Sequence, residues 1–393
     1  SPSHCCQICC QPWRPCQCSL LCHCCQSCCV LPRLTRAVTI VFKPAIKSIV
    51  QTLAPSFKPV VKLVGVCLAL SLLPRLLSRL LSRSACKRVL FLPPQPIWEG
   101  RDIAALDWHY SENLVVRTPA GISQGNSIGK ANTMATLTEF PDRQLLGEDV
   151  IWCGDDEQGF LSSHRIVSTA THRGGVFGPT TSIKVIFRTI ADTFCHGNRV
   201  WDEWLIRDNG AIATQLGETA QEAAQALIDS GDLAFPLTPK TDILGPYTGA
   251  GNNNEWGQKH AEILQKIMLT EFGVIEDAYD RACHLAYPCG VEAHGIDAVK
   301  AFFIGLRSAF PYADFKIEHQ IGRHDAMFGP RSAIRWSLTG KHEGYGRYGA
   351  PTGAEVHVMG VSHVEFGPWG LRRETTLIDD IAIWKQILLQ TQV

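Results

Sequence analysis

The sequence predicts an α+β protein made of two related domains, each with helices first and an antiparallel sheet after them, preceded by an irregular, Cys-rich basic segment. Three observations carry that expectation. The composition changes abruptly near residue 95, one pattern of residues occurs twice in the remainder of the chain, and within each occurrence helical stretches precede a run of long strands. At 393 residues the chain exceeds one ordinary domain, and 45% hydrophobic against 19% charged residues supplies ample core.

Residues 1–98 hold twelve Lys or Arg and no acid, which leaves 25 bases against 37 acids in the remainder. That acidic remainder speaks against a nucleic-acid groove, which needs clustered cations facing phosphate. Thirteen of the 17 cysteines precede residue 90. Eleven of these crowd between Cys5 and Cys29, with no small fold between pairs as zinc sites require. The other four (Cys153, Cys195, Cys283, Cys289) are scattered without a CxxC pair, as in a reduced, cytoplasmic protein. Residues 60–73 are apolar but interrupted by Lys62, short of the roughly 20 residues a membrane span needs. Arg75, Arg79 and Arg83 then form a basic stripe on a possible amphipathic helix. Two readings of residues 1–95 stand side by side: a targeting or membrane-surface segment, and a stretch outside its natural coding frame. Membrane contact is expected only under the first.

From Trp98 the pattern runs twice. Tyr110, Pro119 and Gly121 recur as Tyr279, Pro288 and Gly290 at an offset of 169. Gly125, Phe140, Pro141 and Arg165 recur as Gly295, Phe310, Pro311 and Arg335 at 170. Glu203, Asp208, Ala211 and Ile212 recur as Glu374, Asp379, Ala382 and Ile383 at 171. So slow a drift marks a tandem duplication. The expected domains are 96–217 and 254–393, joined by a Pro/Gly/Asn-rich linker at 218–253.

In order, each domain begins with a helix (98–110; 255–281), then a short extended piece such as 114–118 closed by Pro-x-Gly, then a second helix (126–138; 296–309). Four strands come next at 143–153, 160–172, 182–196 and 199–208, and again at 314–323, 331–343, 354–366 and 369–379. Consecutive strands with short turns predict an antiparallel meander. Alternation puts Glu355, His357, Met359, Val361, His363 and Glu365 on one face of a strand, opposite an apolar face. The matching strand of the first domain puts Lys184, Ile186, Arg188, Ile190 and Asp192 together.

GVFGPTT (175–181) and GRYGAPTGAEV (346–356) resemble the Gly-x-Pro-Thr-Gly turn of the SnoaL-like polyketide cyclase family. RVWDEWLIRDNGAIATQLG (199–217) resembles that family's last strand and closing helix. LRRETTLIDDIAIWKQI (371–387) keeps Asp379 and Gln386 there but loses the Leu-Gly. The resemblance implies two cone-shaped domains of the nuclear transport factor 2-like superfamily. That superfamily holds cyclases, isomerases and dehydratases together with members that only bind, so the fold does not choose a reaction.

The resemblance also implies that Asp208 and Asp379 are acid/base groups; the competing role is a helix N-cap. His363 and Asp192, on equivalent strands, are candidate proton carriers or else cross-strand partners. Tyr110, Tyr279, His164, Trp336 and His357 are candidate substrate-binding residues, with His172 and His342 weaker. Glu203 and Glu374 are expected to face away from the two aspartates, near an interface with Trp201 and Arg372. No spacing suits a metal or a phosphate loop, so no cofactor is expected. The expected function is general acid/base catalysis of the cyclase, isomerase or dehydratase type on an apolar small molecule. A binding module is the alternative. The two domains are also expected to pair as an intramolecular pseudo-dimer. The second, with the complete Gly-x-Pro-Thr-Gly turn, is expected to keep the chemistry.

Overall fold

A computed structural model describes residues 100–391. The cysteine cluster, the basic stripe and the boundary expected near 95 lie outside the described residues.

The chain forms a 3₁₀ turn (Ile103–Ala105), α1 (Leu106–His109), β1 (Tyr110–Thr118), β2 (Gly121–Gln124), α2 (Asn126–Glu139), β3 (Gln144–Asp155), β4 (Gly159–Thr171), β5 (Lys184–His196) and β6 (Arg199–Arg207). Next come α3 (Asn209–Leu216) and α4 (Ala220–Asp229). The second half repeats the order as α5 (Glu255–Met268), α6 (Val274–Ala278), β7 (Tyr279–Tyr287), β8 (Val291–His294), α7 (Ile296–Ala309), β9 (Asp314–Arg323), β10 (Arg331–Lys341), β11 (Glu355–Gly367), β12 (Gly370–Leu377) and α8 (Asp380–Thr391). Two six-stranded sheets result, β2-β1-β6-β5-β4-β3 and β8-β7-β12-β11-β10-β9, in one order. This is the expected α+β architecture, with helices packed on two six-stranded sheets.

Two details differ from the sequence reading. The opening extended piece is a full hairpin, and it joins the meander through a parallel pair, β1 with β6 and β7 with β12. The opening helices are also shorter than expected: α1 ends at His109, and α5 stops at Met268 before the short α6. Tyr110 and Tyr279 therefore begin strands rather than end helices. Gly125 and Gly295 precede α2 and α7 with φ of 91° and 85°, a left-handed turn that glycine adopts without a Cβ penalty.

Both faces of the second sheet are buried, which a period of two cannot reveal. Its inner face packs under α5 and α7 on a single core that includes Trp336, Val356, Val358, Phe302, Phe303 and Leu306. Gly360 lies against the Trp336 indole so closely that a Cβ would overlap it. The outer face meets the outer face of the first sheet. Ile190 and Ile206 pack with Met359, Val361 and Leu377, and Ile151, Leu161 and Phe194 pack with Ile321 and Ala333.

Polar groups cross this contact in pairs. Ser163 Oγ and His363 Nε2 are 2.6 Å apart, and Arg335 Nε lies 3.5 Å from Asp192 while its guanidinium stacks 3.7 Å above the Trp204 ring. The stretch expected to be a linker at 218–253 is not structureless, because it carries α4 and its later part is tied to both sheets. Tyr247 donates its amide to Asp202 at 2.8 Å, and its hydroxyl meets His319 Nε2 at 2.6 Å.

Corresponding helices differ in a way that prepares the site. The buried face of α7 carries Phe302, Phe303, Leu306 and Ala309; at the offset of 170, α2 carries Asn132, Thr133, Thr136 and Glu139. Large apolar side chains close the second half, whereas small and polar ones leave room in the first.

Candidate functional site

A cavity of about 740 Å³ lies where that room is left. Asn132, Thr136 and Glu139 of α2 form one wall, and the glycine turn at 174–178 forms another. Arg207 and Asn209 enter from the end of β6. Ala223, Ala226 and Leu227 of α4 face Asp379, Ile381, Ala382 and Lys385 at the start of α8. Much of the wall is apolar because α3, α4 and α8 pack together through alanines and Ile381. The site is composite: Arg207 and Asn209 belong to the first half, Asp379 and Lys385 to the second.

Asp379 is buried and caps α8, accepting from the amides of Ile381 at 3.1 Å and Ala382 at 3.4 Å. Asn209 donates from its side-chain amide at 2.7 Å. Burial pushes the carboxyl up to about 7, against the lowering effect of Asn209 and the amide of Ala382. A group poised there exchanges a proton near neutrality.

Asp208 holds the equivalent position on α3 but a different setting. Its carboxylate accepts from Ala211 at 3.0 Å and from the amides of Cys289 and Gly290, each at 2.9 Å, in the β7–β8 turn of the other half. Burial raises it to about 6. Three amides saturate it, and it does not line the cavity. The equivalent turn of the first half, at Ala120, gives Asp379 no hydrogen bond among the described residues; Ala120 lines the cavity instead. The cleft thus occupies the place of a contact that the other side makes.

Several candidates fall elsewhere. His363 and Asp192 lie between the two sheets, on Ser163 and Arg335, so their strand face is the contact face and not a pocket face. Burial and the nearby Arg165, His164, His260 and Arg331 drive His363 well below the ordinary histidine range. Trp336 fills the second core and donates to Ser362 at 3.0 Å. His357 meets Thr339 at 2.7 Å. His164 meets Ser162 at 2.8 Å, and burial lowers it to about 4. His172 and His342 each hold a threonine of the glycine turn, Thr181 and Thr352, at 3.1 Å.

The glutamates face inward rather than toward the sheet contact. Glu374 pairs across β11 with Val364, a core residue, and accepts from Tyr279 at 2.7 Å, Tyr287 at 3.2 Å and Thr376 at 2.6 Å. Glu203, its counterpart, is raised to about 7 by burial, and burial, with Glu203 adding to it, raises Tyr110 well above the ordinary tyrosine range. Arg372 is tied to Glu365 on the surface, and Trp201 packs beside Phe194. Arg207 was not among the candidates. The signal was in the repeat, because its counterpart at 171 is Ile378, and a charge standing where a copy keeps an apolar core residue marks a departure.

Among the described residues, no three His, Cys, Asp or Glu side chains gather as a metal site, and no helix is long and apolar enough to cross a membrane. The fold is α+β, and a cavity lies among its helices. More particularly, residues 271–371 match the family described as the SnoaL-like domain, so the second half carries a domain of that kind.

Solved structures similar to the chain include a SnoaL-like polyketide cyclase from Jannaschia sp. CCS1 (15% identity, TM-score 0.30, covering 35% of this chain and 96% of that one). IdmH from Streptomyces antibioticus, a polyketide cyclase, is 20% identical (TM-score 0.29, 32% and 93% covered). TsrD from Streptomyces laurentii is 18% identical (TM-score 0.30, 34% and 96% covered). No curated protein matches the chain.

Proposed function

We propose that the chain is a tandem of SnoaL-like domains, 96–217 and 254–393, whose sheets pair as an intramolecular pseudo-dimer and share one working cleft. In this reading the protein is an acid/base enzyme of the cyclase, isomerase or dehydratase type acting on an apolar carbonyl compound. Asp379 takes a proton from the carbon beside the carbonyl and returns one. Asn209 is a positioning residue that holds the carboxyl. The observation that carries the reading is a buried carboxyl, raised to about 7, in the wall of a largely apolar 740 Å³ cavity.

The second reading is a binding module without turnover. It is favoured by the two helix amides on Asp379, which would occupy the carboxyl in a purely structural cap as well.

The deciding experiment is identification of metabolites that co-purify with the full chain, by mass spectrometry, followed by incubation of the ligand in heavy water. An enzyme incorporates deuterium beside the carbonyl. A binding module returns the ligand unlabelled.

A further inference from the structure

Arg207 brings a cation to the cavity without an ion-pair partner. The residue is half-buried, its Nε is shielded from solvent with no hydrogen-bond partner, and the guanidinium enters no ion pair among the described residues. Its neighbour is the Phe187 ring, 5.9 Å away. The guanidinium stands where the other half keeps Ile378, and its Nε loses hydration that nothing in the protein replaces, while its two terminal nitrogens stay open to the cleft. The two carboxylates near enough to act on it through space, Glu139 and Asp379, are engaged elsewhere. Glu139 accepts from the amide of Phe177 at 3.0 Å, and Asp379 accepts from Asn209. Arg207 lines the cavity, so its free donors are available to whatever enters.

We infer that the cleft recognises an apolar molecule carrying a single carboxylate, which Arg207 receives in its planar fork. A carboxylate matches that fork with two parallel hydrogen bonds. A phosphate suits the place less well. It would bring more charge beside Glu139 and Asp379, and among the described residues the other cation of the wall, Lys385, is already paired with Asp232 at 2.7 Å. The assignment names the ligand class of the cleft described under the proposed function and rests on that cleft. It does not depend on turnover.

The test titrates the full chain by calorimetry with 2-naphthoate and with its neutral amide, 2-naphthamide. The wild type binds the carboxylate at least about tenfold more tightly, a difference of ~1.4 kcal/mol. Arg207→Gln brings the two affinities together while leaving that for the amide unchanged. Arg207→Met does the same, and it guards against misfolding because an apolar side chain stands at the equivalent place in the other half. Asp208→Asn, at the aspartate that does not line the cavity, keeps the preference, which ties any loss to the cleft. Inorganic phosphate in large excess does not displace the naphthoate. Equal affinities in the wild type, no binding of either probe, displacement by phosphate, or a preference that survives both Arg207 variants would overturn the inference.

Discussion

Asn209 Nδ2 stands 2.7 Å from Asp379 Oδ2, and this bond joins the first half of the chain to the second at the wall of the cleft. The same two halves meet on the other side through Asp208, which accepts two amides from the β7–β8 turn. Both cap their own helix through backbone amides, but across the halves Asp208 is met by two further amides and Asp379 by one side chain beside a cavity. Between equivalent residues, that difference makes Asp379 the group with room to act.

Burial of Asp379 predicts a pH-dependent cost. Its folded value of about 7 exceeds the ordinary carboxylate range, so the folded state holds a proton that the unfolded state has released. Stability therefore falls as pH rises from about 4 to about 7. Asp379→Asn removes that slope and is stabilised relative to wild type by up to a few kcal/mol at about pH 8, but not at about pH 4. Chemical denaturation at the two pH values measures it. Parallel curves for both proteins would refute the assignment.

His363 predicts the opposite sign. Its folded value is driven well below 6.5, so the unfolded state binds the extra proton as pH drops. Stability present above about 6.5 is lost on acidification. In that range Arg165 and Arg331 bear on it with positive charge, His164 and His260 being held neutral by burial, and Ser163 is its hydrogen-bond partner. His363→Gln is expected to lose less stability than wild type between about pH 7 and about pH 5, measured by urea midpoint.

The recurrence of one order of helices and strands was legible because both halves need the same turn residues at Gly125 and Gly295, Pro141 and Pro311. Which strand face looks inward was not. Alternation gives parity only, and β10 and β11 are covered on both sides, by helices and by the other sheet. Parity also misled between Glu374 and Asp379. The strand ends at Leu377, so Asp379 is a helix cap and the count of alternate residues no longer applies. The complete turn of the second half favoured that half for the chemistry, yet apolar Phe302, Phe303 and Leu306 fill its core. Comparing the α2 and α7 residues at the offset of 170 would have located the open half.

Asp192 and Arg335 form a buried pair across the sheets. Arg335→Met strands the carboxylate, and Asp192→Asn strands the guanidinium over Trp204. Each is expected to cost roughly 3–5 kcal/mol, while the double change costs less than the sum because neither charge is left alone. A double-mutant cycle by denaturant unfolding checks this, and simple additivity would remove the coupling.

Glu374 serves three buried hydroxyls, those of Tyr279, Tyr287 and Thr376. Glu374→Leu leaves the two tyrosine hydroxyls without this acceptor, while Thr376 keeps Ser362 at 2.7 Å, and is expected to destabilise by about 3 kcal/mol or more. Glu374→Gln keeps one acceptor oxygen and should cost distinctly less. Equal thermal shifts for the two would show that packing, not hydrogen bonding, sets the role of this residue.

Proton transfer at Asp379 is the central claim, and the rate of deuterium incorporation into the co-purified ligand measures it most directly. Asp379→Asn preserves shape and the cap while removing the base, and Asp208→Asn does the same at the saturated position. The account predicts a loss of ~10²-fold or more for the first and retention of most of the rate for the second. Equal losses, or no loss from Asp379→Asn, would contradict it.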